Sequence, residues 1–202
     1  MHLICSDLEG VFVPEVWINV AEKTGIPELR RTTRDEPDYD KLMHYRMKIL
    51  DEHGLKLHDI QNVIAQIRPL PGAVEFIEWV KERTQLIVVS DTFIQFADPL
   101  MKQLGRPTLF CHTLLMDETN RIIGYKLRQP DPKRKTVIAL QSLTYKVIAM
   151  GDSYNDISML KQADQGILFN PPENVIKDHP ELPVVYDYEQ IKTIIRKVIE
   201  NP

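Results

Sequence analysis

The sequence predicts an α/β protein in which a doubly wound parallel sheet carries a small inserted helical cap. Two observations lead to this fold class. From residue 73 onward, short apolar runs typical of buried strands alternate with helical patterns. Before that, one strand-like run at the amino terminus is followed by residues 14–72, in which every pattern is helical. We therefore expect a core of residues 1–13 and 73–202 and a helical cap of residues 14–72.

The first predicted strand is the apolar run Leu3 to Cys5, which leads into Asp7, Glu9 and Gly10. Side chains alternate along a strand, so Asp7 and Glu9 should point the same way, with Cα atoms roughly 6.6 Å apart. Two carboxylates this close repel each other unless a cation or a shared proton compensates. The stretch predicts an acid pair that binds a metal and attacks a phosphate. A solvated strand end before a turn stays open as the alternative.

The cap is predicted to consist of three helices with apolar residues at helical spacing. A polar stretch without periodicity, Arg30 to Asp40, is expected to be a loop. Pro69-Leu70-Pro71-Gly72 marks the end of the cap. The predicted cap helices are Pro14–Lys23, Tyr39–Glu52 and Asp59–Ile67.

The rest of the core is predicted as an alternation of helices and strands. The run Leu-Ile-Val-Val-Ser at 86–90 is apolar almost throughout, which is typical of a parallel strand covered on both faces. A turn at 117–120 predicts a hairpin. The predicted helices are 73–83, 93–104, 133–143, 156–163 and 188–200, and the predicted strands are 86–90, 108–112, 114–116, 122–127, 146–150, 166–169 and 184–186.

Composition excludes several classes of function. The chain has 202 residues and is 43% hydrophobic. Its net charge is −4, so it lacks the excess of positive charge that is typical of nucleic-acid-binding proteins. No apolar run is long enough to span a bilayer, and no signal-peptide pattern opens the chain. Cys5 and Cys111 both lie in apolar runs, which favours free thiols in a reducing compartment. We expect a cytoplasmic protein with no nucleic-acid or membrane partner.

Polar groups follow three of the predicted strands, and parallel strands bring their carboxyl ends to one edge of the sheet. Besides Asp7 and Glu9, these groups are Ser90-Asp91-Thr92 and the segment from Gly151 to Asp156, with Lys133 at a helix start. Each of these groups also has an interpretation that involves no catalytic function. Ser90, Asp152 and Asp156 could cap helices, and Lys133, Arg134 and Lys135 could form a solvated helix face.

The order of these motifs along the chain resembles the haloacid dehalogenase phosphatase superfamily. It runs Asp-x-Glu, a strand ending in serine, a lysine at a helix start, then Gly-Asp-x-x-x-Asp, and it covers nearly the whole chain. Arg46-Met-Lys-Ile-Leu and Ser-x-x-Phe at 90–93 are similar to the phosphoserine phosphatases within it. More specifically, the chain resembles the bifunctional phosphoserine phosphatase/phosphoserine:homoserine phosphotransferase branch, which carries the same Asp-Leu-Glu-Gly and Ser-Asp-Thr-Phe variants. The resemblance implies a Rossmann-like core.

The resemblance implies a catalytic and a metal site. Asp7 would be the nucleophile that forms an aspartyl-phosphate, and Glu9 would protonate the leaving oxygen and then activate the acceptor. Mg²⁺ would be held by Asp7, Asp152 and the backbone carbonyl of Glu9, with Asp156 orienting the metal shell. Lys133 would grip the phosphoryl oxygens, although Lys135 is a rival on the same helix start.

The resemblance also implies the substrate contacts. Ser90 and Asn155 would contact the phosphate, with Asp91 and Thr92 beside Ser90. Glu15 and Arg46 in the cap would hold the ammonium and carboxylate of O-phosphoserine. Homoserine would be a second small-molecule partner, and a homodimer is possible.

Two departures from the superfamily pattern matter. Glu9 stands where most members have Asp, and its side chain is longer by about 1.5 Å, which could favour an alcohol over water as the acceptor. Asp91 stands where phosphoserine phosphatases commonly have glycine, which adds negative charge near the phosphate. Two other functions stay open: a phosphatase for another small monoester, and a non-catalytic phospho-accepting domain.

Overall fold

The computed structural model describes residues 1–32, 35–36 and 38–200. Its sheet has seven strands in the order β4-β3-β2-β1-β5-β6-β7, all parallel to their neighbours except β4, which runs antiparallel to β3. This confirms the predicted doubly wound α/β fold. The strands are β1 His2–Ser6, β2 Gln85–Phe93, β3 Thr108–Met116, β4 Ile122–Lys126, β5 Lys146–Gly151, β6 Gln165–Phe169 and β7 Val184–Val185.

Strand β1 lies at the centre of the sheet, between β2 and β5. The chain builds outward from β1 in one direction through β2 to β4 and in the other through β5 to β7. An open α/β sheet binds its ligand at this kind of switch point, beyond the carboxyl ends of the strands. The residues that follow β1, β2 and β5 are therefore at the expected ligand position.

Alternating side chains of the strands belong to two hydrophobic clusters, one on each face of the sheet. Leu3 and Cys5 of β1 pack in the cluster with Val137 and Met159, whereas Ile4 packs in the larger cluster on the other face. The larger cluster also takes in the buried faces of the helices before β2. Both faces of β1 are thus covered, which explains why it reads as a continuous apolar run.

Nine helices flank the sheet in the described parts of the chain. They are α1 Val16–Thr24, α2 Tyr39–Glu52, α3 Leu57–Ile64, α4 Ala73–Lys81, α5 Ile94–Gln103, α6 Pro132–Ser142, α7 Ile157–Gln162, α8 Glu173–Asp178 and α9 Tyr188–Glu200, with 3-10 turns at Pro27–Arg30 and Tyr154–Asp156. No helix in these residues is long and apolar enough to cross a membrane. Helix α8 was not predicted, because six residues with one buried side chain, Val175, give no periodic pattern.

Several element boundaries differ from the predicted ones. Strand β2 continues past Ser90 to Phe93, where a helix start was predicted, and its pairing with β3 shifts register between Val89 and Phe93. The two predicted strands after residue 108 are one strand, β3, which pairs with β2 first and with β4 afterwards. The first helix begins at Val16 rather than Pro14, because Val13 is bridged to Glu9.

The described part of residues 14–72 contains helices and turns and no strand. Its predicted loop, Arg30 to Asp40, includes residues 33, 34 and 37, which lie outside the described residues. Polar contacts tie this segment to the rest of the chain: Gln61 Nε2 donates to the Gln95 carbonyl at 2.7 Å, and the Leu70 amide donates to the Phe12 carbonyl at 2.8 Å. Its division from the core as a separate cap stays a prediction.

Candidate active site

One open cavity lies over the carboxyl ends of β1, β2 and β5. The tip of β1 is fixed to β5 by the Asp7 amide, which donates to the Met150 carbonyl at 2.9 Å. The cavity brings together most of the side chains for which the sequence predicted a role. Its lining residues are Asp7, Glu9, Glu15, Trp17, Thr32, Tyr39, Arg46, Ser90, Asp91, Thr92, Phe93, Lys133, Asp152, Ser153 and Asn155.

Three buried carboxylates form an acid cluster at the base of this cavity. Asp7, Asp152 and Asp156 each offer an oxygen, and these oxygens lie within 4.8 Å of one another. Asp156 is fully buried, and its Oδ2 accepts the amides of Asp152 and Ser153 at 3.0 and 3.1 Å. These two hydrogen bonds fold the loop after β5 back, so that Asp152 faces Asp7.

Gly10 makes the close approach between the β1 and β5 loops possible. Its φ is +75°, a left-handed conformation that favours glycine. A Cβ atom at this position would lie 2.4 Å from Cγ of Asp152, which is closer than any real contact. Glycine is therefore needed here both for the backbone turn and for the space beside the acid cluster.

Lys133 supplies the positive charge of the cluster. Its Nζ lies 2.7 Å from Asp156 Oδ1, 3.0 Å from Asp7 Oδ1 and 3.6 Å from Asp91 Oδ2. Burial disfavours the ammonium, but the charges of these three carboxylates outweigh burial and hold the pKa of Lys133 well above its usual range. Lys135, the rival from the sequence, is exposed. The structure therefore brings Lys133, and not Lys135, into the cavity.

The acid cluster is suited to a small divalent cation. Burial, and then the charge of Asp156, raise the pKa of Asp7 well above its usual range, although Lys133 opposes this. One ammonium thus leaves the three carboxylates short of positive charge. Mg²⁺ prefers carboxylate oxygens and keeps several waters, so three carboxylates beside an open cavity fit it. The side chain of Glu9 is not part of the cluster, and the predicted contribution of its backbone carbonyl stays a prediction.

Glu9 reaches away from the cluster toward the first helix. Its Oε2 accepts the Val16 amide at 2.7 Å, at the amino terminus of α1. Burial, and then the charge of Glu15, raise the pKa of Glu9 to about 8, against the opposing effect of the Val16 amide. A carboxyl with this pKa holds a proton at neutral pH, as a general acid must.

Arg46 lines the cavity from α2 and is held by packing. Its guanidinium lies 4.5 Å from the ring centroid of Trp17, and one terminal nitrogen donates to the Arg31 carbonyl at 2.8 Å. No described residue accepts a hydrogen bond from its Nε. Burial lowers the pKa of Arg46 to about 10, so the group keeps its charge at neutral pH. Together with Glu15, it gives this end of the cavity one cation and one anion.

The residues after Val89 and in the β5 loop form the remaining wall. The Ser90 hydroxyl accepts the Thr92 amide at 3.2 Å, and both side chains are buried. Asn155 donates its side-chain amide to Asp91 Oδ2 at 2.9 Å. Burial opposes the ionisation of Asp91, but Lys133 and hydrogen bonds from His112 and Asn155 hold its pKa well below the usual range. Asp91 is therefore a carboxylate.

Several residues in or next to the cavity had no predicted site role, among them Trp17, Tyr39 and His112. Trp17 was interpreted as a packing residue, and it does pack edge-on against Phe96, but it also lines the cavity below Arg46. Tyr39 donates its hydroxyl to the Asp91 carbonyl at 3.0 Å. His112 is buried in β3 with Nε2 3.4 Å from Asp91 Oδ1. A lone histidine in a strand has no spacing signal; only its place at the sheet edge could have indicated a role.

Comparison with known proteins agrees with this geometry. A family model described as haloacid dehalogenase-like hydrolase matches residues 4–164. The chain is 61% identical over 192 residues to the Pseudomonas aeruginosa protein named phosphoserine phosphatase ThrH, covering 95% of this chain and 94% of that one. It is 59% identical over 192 residues to a Pseudomonas syringae phosphoserine phosphatase, covering 95% of this chain and 81% of the other.

Solved structures share the fold at lower sequence identity. A substrate-bound phosphoserine phosphatase complex matches with a TM-score of 0.78 at 20% identity, over 96% of this chain and 97% of that one. A phospho-aspartyl intermediate analogue of phosphoserine phosphatase matches with a TM-score of 0.77 at 20% identity, over 96% and 98%. At this identity the likeness bears on the fold alone.

Proposed function

Because the chain belongs to the haloacid dehalogenase-like hydrolases, in the same family as the phosphoserine phosphatases, we propose that it hydrolyses O-phosphoserine through an aspartyl-phosphate on Asp7. One observation carries this proposal: a buried Asp7 carboxylate lies at the switch point of the sheet, 3.0 Å from Lys133 and beside two further carboxylates. In this arrangement Asp7 can act as the nucleophile, and the ammonium of Lys133 can attract the phosphate anion that Asp7 attacks.

The main obstacle to the reaction is charge. A phosphate monoester is about doubly negative at neutral pH, so a carboxylate can approach it only where cations offset the repulsion. Lys133 is one such cation. A magnesium ion held by Asp7, Asp152 and Asp156 would supply the additional positive charge. The backbone amides that fix Asp156 keep the site in place before substrate arrives.

In the first step, an Asp7 oxygen forms a bond to phosphorus as the bond from phosphorus to the serine oxygen breaks. Glu9 is the proposed proton donor to that leaving oxygen, and its raised pKa supports the role. In the second step, Glu9 takes a proton from water as the water oxygen attacks phosphorus, which releases phosphate and restores Asp7. Splitting the transfer in this way makes two easier steps of one difficult one.

Substrate choice is assigned to the end of the cavity formed by residues 14–72, which we propose to be a cap. Arg46 would pair with the substrate carboxylate, because a guanidinium can donate two parallel hydrogen bonds to it, and Glu15 would pair with the ammonium. Ser90, Thr92 and Asn155 would contact the phosphoryl oxygens. A site with one cation and one anion at this end favours an amino-acid ester over a neutral or purely anionic one.

We further propose that homoserine can replace water as the acceptor. The longer side chain of Glu9 reaches across to the Val16 amide, which supports a position suited to an alcohol rather than a small water. Glu9→Asp should therefore raise hydrolysis relative to transfer. The amounts of free phosphate and phosphohomoserine formed from O-phosphoserine plus homoserine measure this ratio, and an unchanged ratio in the variant would refute the role.

The test of the main proposal is Mg²⁺-dependent phosphate release from a panel of phosphorylated metabolites that includes O-phosphoserine. We expect O-phosphoserine to be the preferred substrate and Asp7→Asn to be inactive. Preference for another monoester would move the protein to a different phosphatase specificity. Equal release by the wild type and Asp7→Asn would remove the enzymatic interpretation and favour a non-catalytic phospho-accepting domain.

Two expectations from the sequence remain proposals. Cys5 and Cys111 are free thiols, which supports a reducing compartment such as the cytoplasm. The possible homodimer also stays a prediction.

A further inference from the structure

Asp91 is a junction at which four other parts of the molecule meet. Its Oδ1 lies 3.4 Å from His112 Nε2 on β3, and its Oδ2 accepts the Asn155 amide at 2.9 Å and lies 3.6 Å from Lys133 Nζ. Its backbone carbonyl accepts the Tyr39 hydroxyl of α2 at 3.0 Å. Both carboxylate oxygens are therefore engaged by groups that are themselves in or next to the cavity.

His112 has only one way to interact with Asp91. Its Nδ1 lies 3.3 Å from the backbone amide of Arg128, which can only donate, so Nδ1 accepts and the proton lies on Nε2. Nε2 faces Asp91. The imidazole is 3% exposed and contacts the rings of Tyr39 and Phe93. Packing and the Arg128 amide thus fix the imidazole so that it donates to Asp91.

Asp91 in turn fixes Asn155. The side-chain oxygen of Asn155 accepts the Ser153 hydroxyl at 2.5 Å, and one hydrogen of its amide nitrogen goes to Asp91. These two contacts set which end of the Asn155 side chain is nitrogen. The second amide hydrogen is left for a ligand in the cavity that Asn155 lines.

We propose that Asp91 and His112 form a positioning pair for phosphoryl transfer, in which His112 fixes the Asp91 carboxylate and Asp91 holds the Lys133 ammonium and the Asn155 amide toward the phosphate. This rests on the proposed function, because it assumes that Lys133 and Asn155 contact a phosphoryl group. Neither member of the pair touches the reacting atoms. Each acts through the groups that do.

The charge of Asp91 has a second effect, on phosphate binding, which makes the proposed pair testable. The negative charge of Asp91 lies beside a site for an anion and by itself weakens phosphate binding. Removing the charge should therefore strengthen the binding of inorganic phosphate, while the loss of positioning slows the chemical step. A residue with a merely structural role would not move these two quantities in opposite directions, because partial unfolding lowers kcat and leaves an inhibition constant unchanged.

The experiment compares wild type, Asp91→Asn, His112→Phe and the double variant in Mg²⁺-dependent hydrolysis, with inorganic phosphate as the inhibitor. For Asp91→Asn we expect kcat to fall about tenfold and the inhibition constant of phosphate to fall about threefold. For His112→Phe, which keeps the aromatic ring and the Asp91 charge, we expect kcat to fall about fivefold with no tighter phosphate binding. The double variant should match Asp91→Asn within about twofold, because His112 acts only through Asp91.

Asp98→Asn is the matched control, since Asp98 is an exposed carboxylate that pairs only with Arg106 in the described structure. It should leave both constants unchanged. The pair is overturned if Asp91→Asn keeps kcat within twofold of wild type, or if the two single effects multiply in the double variant. If Asp91→Asn does not fold, the kcat of His112→Phe decides: a value within twofold of wild type overturns the pair.

The same series with p-nitrophenyl phosphate separates this proposal from the proposed substrate. Hydrolysis of that ester alone, and not of O-phosphoserine, would overturn the substrate assignment, and the pair would then be judged on p-nitrophenyl phosphate. Hydrolysis of neither ester by the wild type would overturn both.

Discussion

The two ends of the cavity are built in different ways. At the strand tips, Asp7, Asp152, Asp156 and Lys133 are held by backbone amides, strand pairing and mutual ion pairs. At the end formed by residues 14–72, the position of Arg46 depends on the ring of Trp17 and on the carbonyl of Arg31. The first arrangement is fixed by backbone hydrogen bonds and ion pairs and carries the proposed chemistry. The second depends on helix packing and carries the proposed substrate choice, so changes at the two ends should affect different constants.

Of the changes at the strand tips, Lys133→Met should have the largest effect on both stability and rate. Removing the ammonium leaves buried carboxylates uncompensated, which we expect to destabilise the fold by about 3 kcal/mol, and removes a phosphate contact, which should lower kcat about 10³-fold. Steady-state kinetics and chemical denaturation measure the two effects.

Lys135→Met is the matched control, since that side chain lies two residues away and is exposed. It should change neither stability nor rate appreciably. A Lys133→Met enzyme with more than a tenth of wild-type activity would contradict the role given to this ammonium.

The close approach at Gly10 gives a second, smaller test of the same end. Gly10→Ala should cost about 1 kcal/mol of stability through the positive φ and, because its Cβ would displace Asp152, lower kcat about 10²-fold. Gly54→Ala pays a similar backbone strain at φ +64° but has nothing within 4 Å of its Cβ. Similar stability losses with activity lost only in Gly10→Ala would separate strain from contact. Equal activities in the two variants would show that the contact with Asp152 does not matter.

The other end of the cavity should respond in substrate binding rather than in rate. Arg46→Lys keeps the charge but loses the planar fork, so we expect KM for O-phosphoserine to rise about tenfold. The kcat/KM for p-nitrophenyl phosphate, which has no carboxylate for Arg46 to bind, should stay within about twofold.

Arg30→Lys, at an exposed position in the same segment, is the control and should change neither substrate. An equal loss on both substrates in Arg46→Lys would mean that the two ends of the cavity are not functionally separate.

The difference between the two ends of the cavity also explains which features could be predicted from the sequence. Asp7, Asp152 and Asp156 follow strands with short, fixed spacings, and parallel strands bring their ends together wherever the rest of the chain goes. The choice between Lys133 and Lys135 could not be made, because it depends on how α6 is rotated against the sheet. His112 could not be found, because its role comes from the neighbouring strand and from the Arg128 amide. The contact from Glu9 to Val16 depends on where α1 begins, which was predicted two residues early.

The proposed reaction requires that Asp7 takes the phosphoryl group. Rapid mixing of the wild type with O-phosphoserine and Mg²⁺, followed by acid quench and mass spectrometry of the peptides, tests it most directly. We expect the added mass of one phosphoryl group on Asp7 during turnover and none in Asp7→Asn. Steady turnover with the phosphoryl group on another residue, or undiminished turnover by Asp7→Asn, would contradict it.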